Sequence, residues 1–96
     1  MAVSITHDSE NQEFTVEQDN FSAELAYSQP KPGVIDFTHT FVAEELRGQG
    51  LADQLATAGL GYAREQNLKV RTSCEFMRGF VERHAEYQAL LDSSER

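Results

Sequence analysis

Apolar and polar positions alternate through the first half of the chain and give way to a helical period in the second. Val3, Ile5 and His7 alternate with polar neighbours, as do Phe14 and Val16, and then Phe21, Ala23, Leu25 and Tyr27. Successive side chains of a strand point to opposite faces, so each run predicts a strand with one apolar face. Residues 8–12 and the Asp19-Asn20 pair read as turns, and residues 28–33, with Pro30, Pro32 and Gly33, as a loop. Residues 34–42 make a fourth strand, β-branched and aromatic, and the four suggest an antiparallel meander. After Gly50, the residues Leu51, Leu55, Ala58 and Tyr62 recur at steps of four, three and four, the stripe of an amphipathic helix. Gly59 and Gly61 each cost such a helix about 1 kcal/mol relative to alanine, which close packing on a sheet would explain. Residues 68–72 alternate again as a fifth strand ending at Ser73 and Cys74. Residues 75–91 are helical with a break near His84, and residues 92–96 form a frayed polar tail.

Between the fourth strand and the helix stands Glu44-Glu45-Leu46-Arg47-Gly48-Gln49-Gly50-Leu51-Ala52. Gly48 and Gly50 allow a sharp turn and close approach of a ligand to the backbone. The first N–H groups of the helix lack intrahelical partners and sit at its positive end, a setting that favours an anion. Arg47 adds a guanidinium able to bind phosphate through two parallel hydrogen bonds. The stretch is not a Walker loop, because no Gly-Lys-Ser/Thr follows, and it lacks the third glycine of the dinucleotide fingerprint. The alternative is a glycine-rich helix start that binds nothing, with Arg47 a surface charge.

The spelling Arg47-x-x-Gly50-x-Ala52 resembles the acyl-CoA pyrophosphate loop of the GNAT acetyltransferase superfamily. His39-Thr40, the loop from Glu45 to Ala52, Cys74-Glu75-Phe76 and His84-Ala85-Glu86-Tyr87 together resemble the small GNAT-like family called NATD-type or YjdJ-like. Where that family usually has proline, this chain has Ala43, Thr72 and Ala85. The resemblance implies an α+β GNAT fold in minimal form: antiparallel β1 to β4, a helix, β5 and a C-terminal helical segment. It implies acetyl-CoA as co-substrate and an amine as acceptor. Arg47, Gly48, Gln49, Gly50, Leu51 and Ala52 would hold the diphosphate, and Phe41 and Val42 would meet the pantetheine arm. Cys74 would face the thioester as an acyl acceptor or as the acid that reprotonates the departing thiolate. Against this stands the ordinary role of a lone cysteine as a small buried hydrophobe. His39 and His84 are candidate bases or structural imidazoles, and Tyr87 is a core residue or a polar cap over the thioester. An acyl-CoA or partner-binding module without turnover is the alternative to an enzyme.

Composition narrows this further. A chain of 96 residues suggests one domain over residues 1–96. The net charge is −8, and residues 1–46 hold one base, Lys31, against nine acids, whereas residues 47–96 balance. That argues against nucleic acid, which wants a basic face. It suits a cationic acceptor, or solubility alone. The single cysteine leaves no internal disulfide or cysteine-based cluster, and no metal is expected. No apolar run reaches membrane-helix length and the start lacks a signal-peptide pattern, so a cytoplasmic location is the expectation. Oligomeric state stays open, with a monomer the simpler expectation.

Overall fold

The computed structural model describes residues 4–92. Val3 and residues 93–96 of the expected tail lie outside the described residues. The first strand is short, β1 (Thr6–Asp8), with Ile5 just before it. It is followed by β2 (Glu13–Gln18), β3 (Phe21–Lys31) and β4 (Val34–Val42). A 3-10 turn at Glu44–Leu46 leads through the glycine loop into α1 (Leu51–Glu65), then β5 (Lys69–Thr72), α2 (Glu75–Arg83) and a second 3-10 segment, Ala85–Leu90. The sheet order is β1-β2-β3-β4-β5, with the first four strands antiparallel and β5 parallel to β4. The expected α+β order of elements is therefore the observed one.

Asp19 and Asn20 both take left-handed backbone angles, φ 54° and 69°, and join Gln18 to its ladder partner Phe21. Two positive φ angles match the twist of a tight hairpin, and Asp and Asn tolerate them. The loop expected over residues 28–33 is mostly strand: β3 runs on to Lys31, and Pro32-Gly33 alone turns the chain, with Gly33 at φ 81°. Pro30 misleads because it cannot donate to a ladder. It falls where the β3–β4 register slips between Ser28 and Lys31, a bulge that spares the missing N–H.

α1 packs one broad face on the sheet, burying Leu51, Leu55, Ala56, Gly59, Leu60 and Ala63. Ala58 and Tyr62, expected on the central stripe, sit at its half-buried rim. A Cβ on Gly59 would lie 2.8 Å from Phe37 Cε1 and 2.9 Å from Leu25 Cδ2, so close packing explains that glycine. It does not explain Gly61, where a Cβ would meet nothing within 4 Å. The helix ends on Asn67 at φ 57°, with Leu68 N–H reaching Ala63 O (2.8 Å) and Asn67 N–H reaching Arg64 O (3.2 Å). This is a Schellman turn whose left-handed residue is Asn in place of Gly, and buried Leu68 completes its apolar contact.

Phe14, Val16, Ala23, Leu25, Tyr27, Ile35, Phe37 and Val70 form the sheet side of one core, closed by α1, α2 and Tyr87. The break at His84 falls where expected, between α2 and the 3-10 segment. Asp92 is not frayed: its N–H bonds to Val70 O (2.8 Å) and its carboxylate pairs with Arg71 Nε (2.9 Å), which tucks the chain along the outer edge of β5. No described helix is long and apolar enough to cross a membrane.

Candidate active site

The site begins with a mismatch in strand length. β5 pairs with β4 from Val34↔Lys69 to Phe37↔Thr72 and stops, while β4 continues to Val42. Just past Phe37, Thr38 is the extra residue of a β-bulge: Ala26 pairs with His39 and Tyr27 with Phe37. Beyond it, β4 has β3 on one side and, among the described residues, no strand on the other. Ala43 N–H bonds back to Ser22 O (3.1 Å), and N–H groups alternate sides along an antiparallel strand. Those of Thr40 and Val42 therefore face the open edge.

Cys74 stands at the head of this gap. Its N–H bonds to Phe37 O (2.9 Å), and Asp36 holds the preceding residue twice, accepting from Ser73 N–H (3.1 Å) and Ser73 Oγ (2.8 Å). Those three bonds fix the residue that opens α2. Its thiol, 9% exposed, lies 3.2 Å from Thr40 Oγ1, and either atom can donate. The position before the first turn of α2 places the sulfur at the positive end of a helix.

The other end of the gap is the glycine loop. Leu46, 2% exposed, anchors the 3-10 turn in the core, and Arg47 donates from Nε to Val42 O (3.2 Å), pinning its side chain to the end of β4. Gly48 and Gly50 take φ 84° and 74°, and a Cβ on either would point into open space. Their need is conformational. The first bond of α1 is Gln54 N–H to Gly50 O (3.1 Å), and among the described residues no hydrogen bond is made by the N–H groups of residues 48–53. Val42, Leu46, Arg47, Gly48, Gly50, Leu51, Ala52 and Asp53 line a hollow of about 170 Å³ beside them. Gln49 lies outside the hollow, its Oε1 accepting from Gln18 Nε2 at the end of β2 (2.8 Å).

Of the residues singled out in the sequence, the fold gathers Val42, Arg47, Gly48, Gly50, Leu51 and Ala52 at the hollow and sets Cys74 at the far end of the same edge. Phe41 falls elsewhere: it pairs with Glu24 and projects 44% exposed from the sheet face opposite α1. His84 is held structurally, with Nδ1 2.7 Å from Phe80 O and its ring stacked on Phe80 at 4.0 Å. His39 is exposed on the same face as Phe41. Tyr87 is buried under Arg64, whose guanidinium lies 5.1 Å from the ring centre. Thr40 and Gln18 drew no role from the sequence, because threonine in a strand and glutamine before a turn are ordinary there. Only the tertiary fold sets Thr40 against Cys74 and Gln18 against Gln49.

A family model described as GCN5-related N-acetyl-transferase matches residues 12–90. Protein NATD1 from Gallus gallus is 31% identical over 81 residues, covering 82% of this chain and 74% of its own. The Homo sapiens protein of that name is also 31% identical over 81 residues, with 72% of its length covered. A solution NMR structure of a GCN5-like protein from Staphylococcus aureus superposes with a TM-score of 0.75 at 32% identity, over 93% of this chain and 87% of that one. On the extent of these matches, the chain belongs to the GCN5-related N-acetyltransferase family.

Proposed function

We infer that the chain transfers an acyl group, acetyl in the first instance, from acetyl-CoA to an amine. The observation that carries this is the run of unpartnered amides at residues 48–53, opening on a hollow at the end of a strand edge that leads to Cys74. Unpaired backbone donors at a helix start favour an anion, and a diphosphate presents several acceptors together. Arg47, already turned toward the edge, would add its charge, and the open edge of β4 at Thr40 and Val42 would take the amide groups of the arm. Acetyl-CoA supplies an acyl group activated as a thioester.

In this reading Cys74 donates the proton that a departing thiolate takes, and the Thr40 hydroxyl, 3.2 Å away, positions it. Isothermal titration with acetyl-CoA tests binding, and absence of heat at millimolar ligand removes the proposal. Thiol release in the presence of mixed amines tests turnover. Cys74→Ala should lower kcat by about 10²-fold or more, and Cys74→Ser, which keeps a donor, should recover part of it. Tight binding with no turnover on any amine would favour the acyl-CoA-binding module instead.

A further inference from the structure

α1 and α2 cover the sheet face that carries Leu25, Tyr27 and Phe37, and among the described residues no element covers the other. The glycine loop enters α1 with little packing to hold its shape, since residues 47–50 are all exposed. Buried Leu46 anchors its start in the core and buried Leu51 its end. Between those anchors stand Gly48 and Gly50 at positive φ, and glycine has the most backbone freedom to lose on ordering.

The middle of the loop is tied to the β2–β3 hairpin. Gln49 Oε1 accepts from Gln18 Nε2 (2.8 Å), and among the described residues this is the hydrogen bond that joins residues 48–50 to the sheet. Gln18 is half-buried at the end of β2, and the two-residue turn Asp19-Asn20 locks it opposite Phe21. The same hairpin holds the chain ahead of the loop, where Ser22 O accepts from Ala43 N–H (3.1 Å). Gln49 stands between the two glycines, so a fixed Gln49 side chain restrains the peptide groups on both sides of it. Those groups carry the N–H donors of Gln49 and Gly50, part of the run that makes no hydrogen bond among the described residues and borders the hollow. A bond between two surface amides contributes little to global stability. Its effect is local.

Resting on the acyltransferase reading above, we propose that Gln18 is a positioning residue for acetyl-CoA: its bond to Gln49 holds the glycine loop in the arrangement that receives the diphosphate. A loop ordered only on binding loses affinity to the entropy of ordering, and one ordered on folding does not. Gln18 touches no part of the ligand in this arrangement and acts through Gln49. The β2–β3 hairpin thereby belongs to the binding site, although no residue of it lines the hollow beside the glycine loop.

Gln18→Met keeps the length of the side chain and removes the donor, and circular dichroism checks its fold. In the ligand-free protein, amide order parameters from NMR relaxation should fall at Gly48, Gln49 and Gly50 from about 0.85 toward 0.6, and stay unchanged in α1 beyond its first turn. Titration with acetyl-CoA should show affinity about fivefold weaker than in the parent. A double-mutant cycle separates the tie from any other effect of the substitution: in a Gln49→Ala background, Gln18→Met should change neither the order parameters nor the affinity. The proposal is overturned if Gln18→Met binds acetyl-CoA as tightly as the parent, or if it weakens binding equally with Gln49 present and absent. A parent that takes no acetyl-CoA would overturn the acyltransferase reading instead. The order parameters of the ligand-free loop then decide whether Gln18 holds it, and no change on Gln18→Met overturns that as well.

Discussion

Arg47 carries a guanidinium that donates from Nε to Val42 O and, among the described residues, has the rest of its fork beside the hollow. Charge-assisted bonds of this kind contribute about 1.5–3 kcal/mol, so Arg47→Ala should weaken acetyl-CoA about 10- to 100-fold by titration with the fold intact. A second residue-scale test sits in the cluster of His7, Phe14, Tyr27 and Tyr62. There the His7 ring stacks on Phe14 at 4.3 Å, and its Nε2 lies 2.6 Å from Tyr27 OH. Burial, aided by the Tyr62 and Asp8 charges, pushes the Tyr27 phenol above its ordinary 10.0. The folded protein thus keeps a proton that the unfolded chain has begun to release. This contribution is whole below pH 10 and is lost as pH rises through the raised value. Urea unfolding should therefore show stability falling above pH 10, and less steeply in Tyr27→Phe. That variant also gives up about 1 kcal/mol at neutral pH with the His7 bond.

At the scale of the element, the two glycines of α1 make a paired experiment. Gly59→Ala forces a methyl against Phe37 and Leu25 and should cost about 1–3 kcal/mol, whereas Gly61→Ala meets open space and should gain about 0.5–1 kcal/mol. Thermal melts of the two variants should shift in opposite directions. The sequence marked both as anomalies in a helix but could not separate them, because which side of a helix touches a sheet depends on residues twenty or more positions away. Element types were otherwise plain wherever a rhythm was sustained: period two through Tyr27, and steps of three and four after Gly50. Residues 28–33 depart from that rule: proline and glycine there speak for a turn, and only a bulge reconciles Pro30 with a strand.

Over the whole molecule, β1 to β4 draw together most of the nine acids of residues 1–46, which have one base to offset them. Repulsion across that face should be relieved by salt. Raising NaCl from a few millimolar to about 0.15 M should stabilise the protein by up to about 1 kcal/mol, read as a rise of some 4–8 °C in Tm. The sequence by itself determined the order of strands and helices, the place of the glycine loop between strand and helix, and the position of Cys74 at a strand end. All of these are local, written in the spacing of apolar residues and in backbone freedom at Gly48 and Gly50. Tertiary structure alone decided that β5 stops at Thr72 while β4 runs on, that Thr40 meets Cys74, that Phe41 turns away from the core, and that one sheet face stays bare. Each depends on how separate elements pair and pack, which no single stretch of sequence records. A bulge of one residue, Thr38, reverses which side chains face the helices, and no local pattern records it.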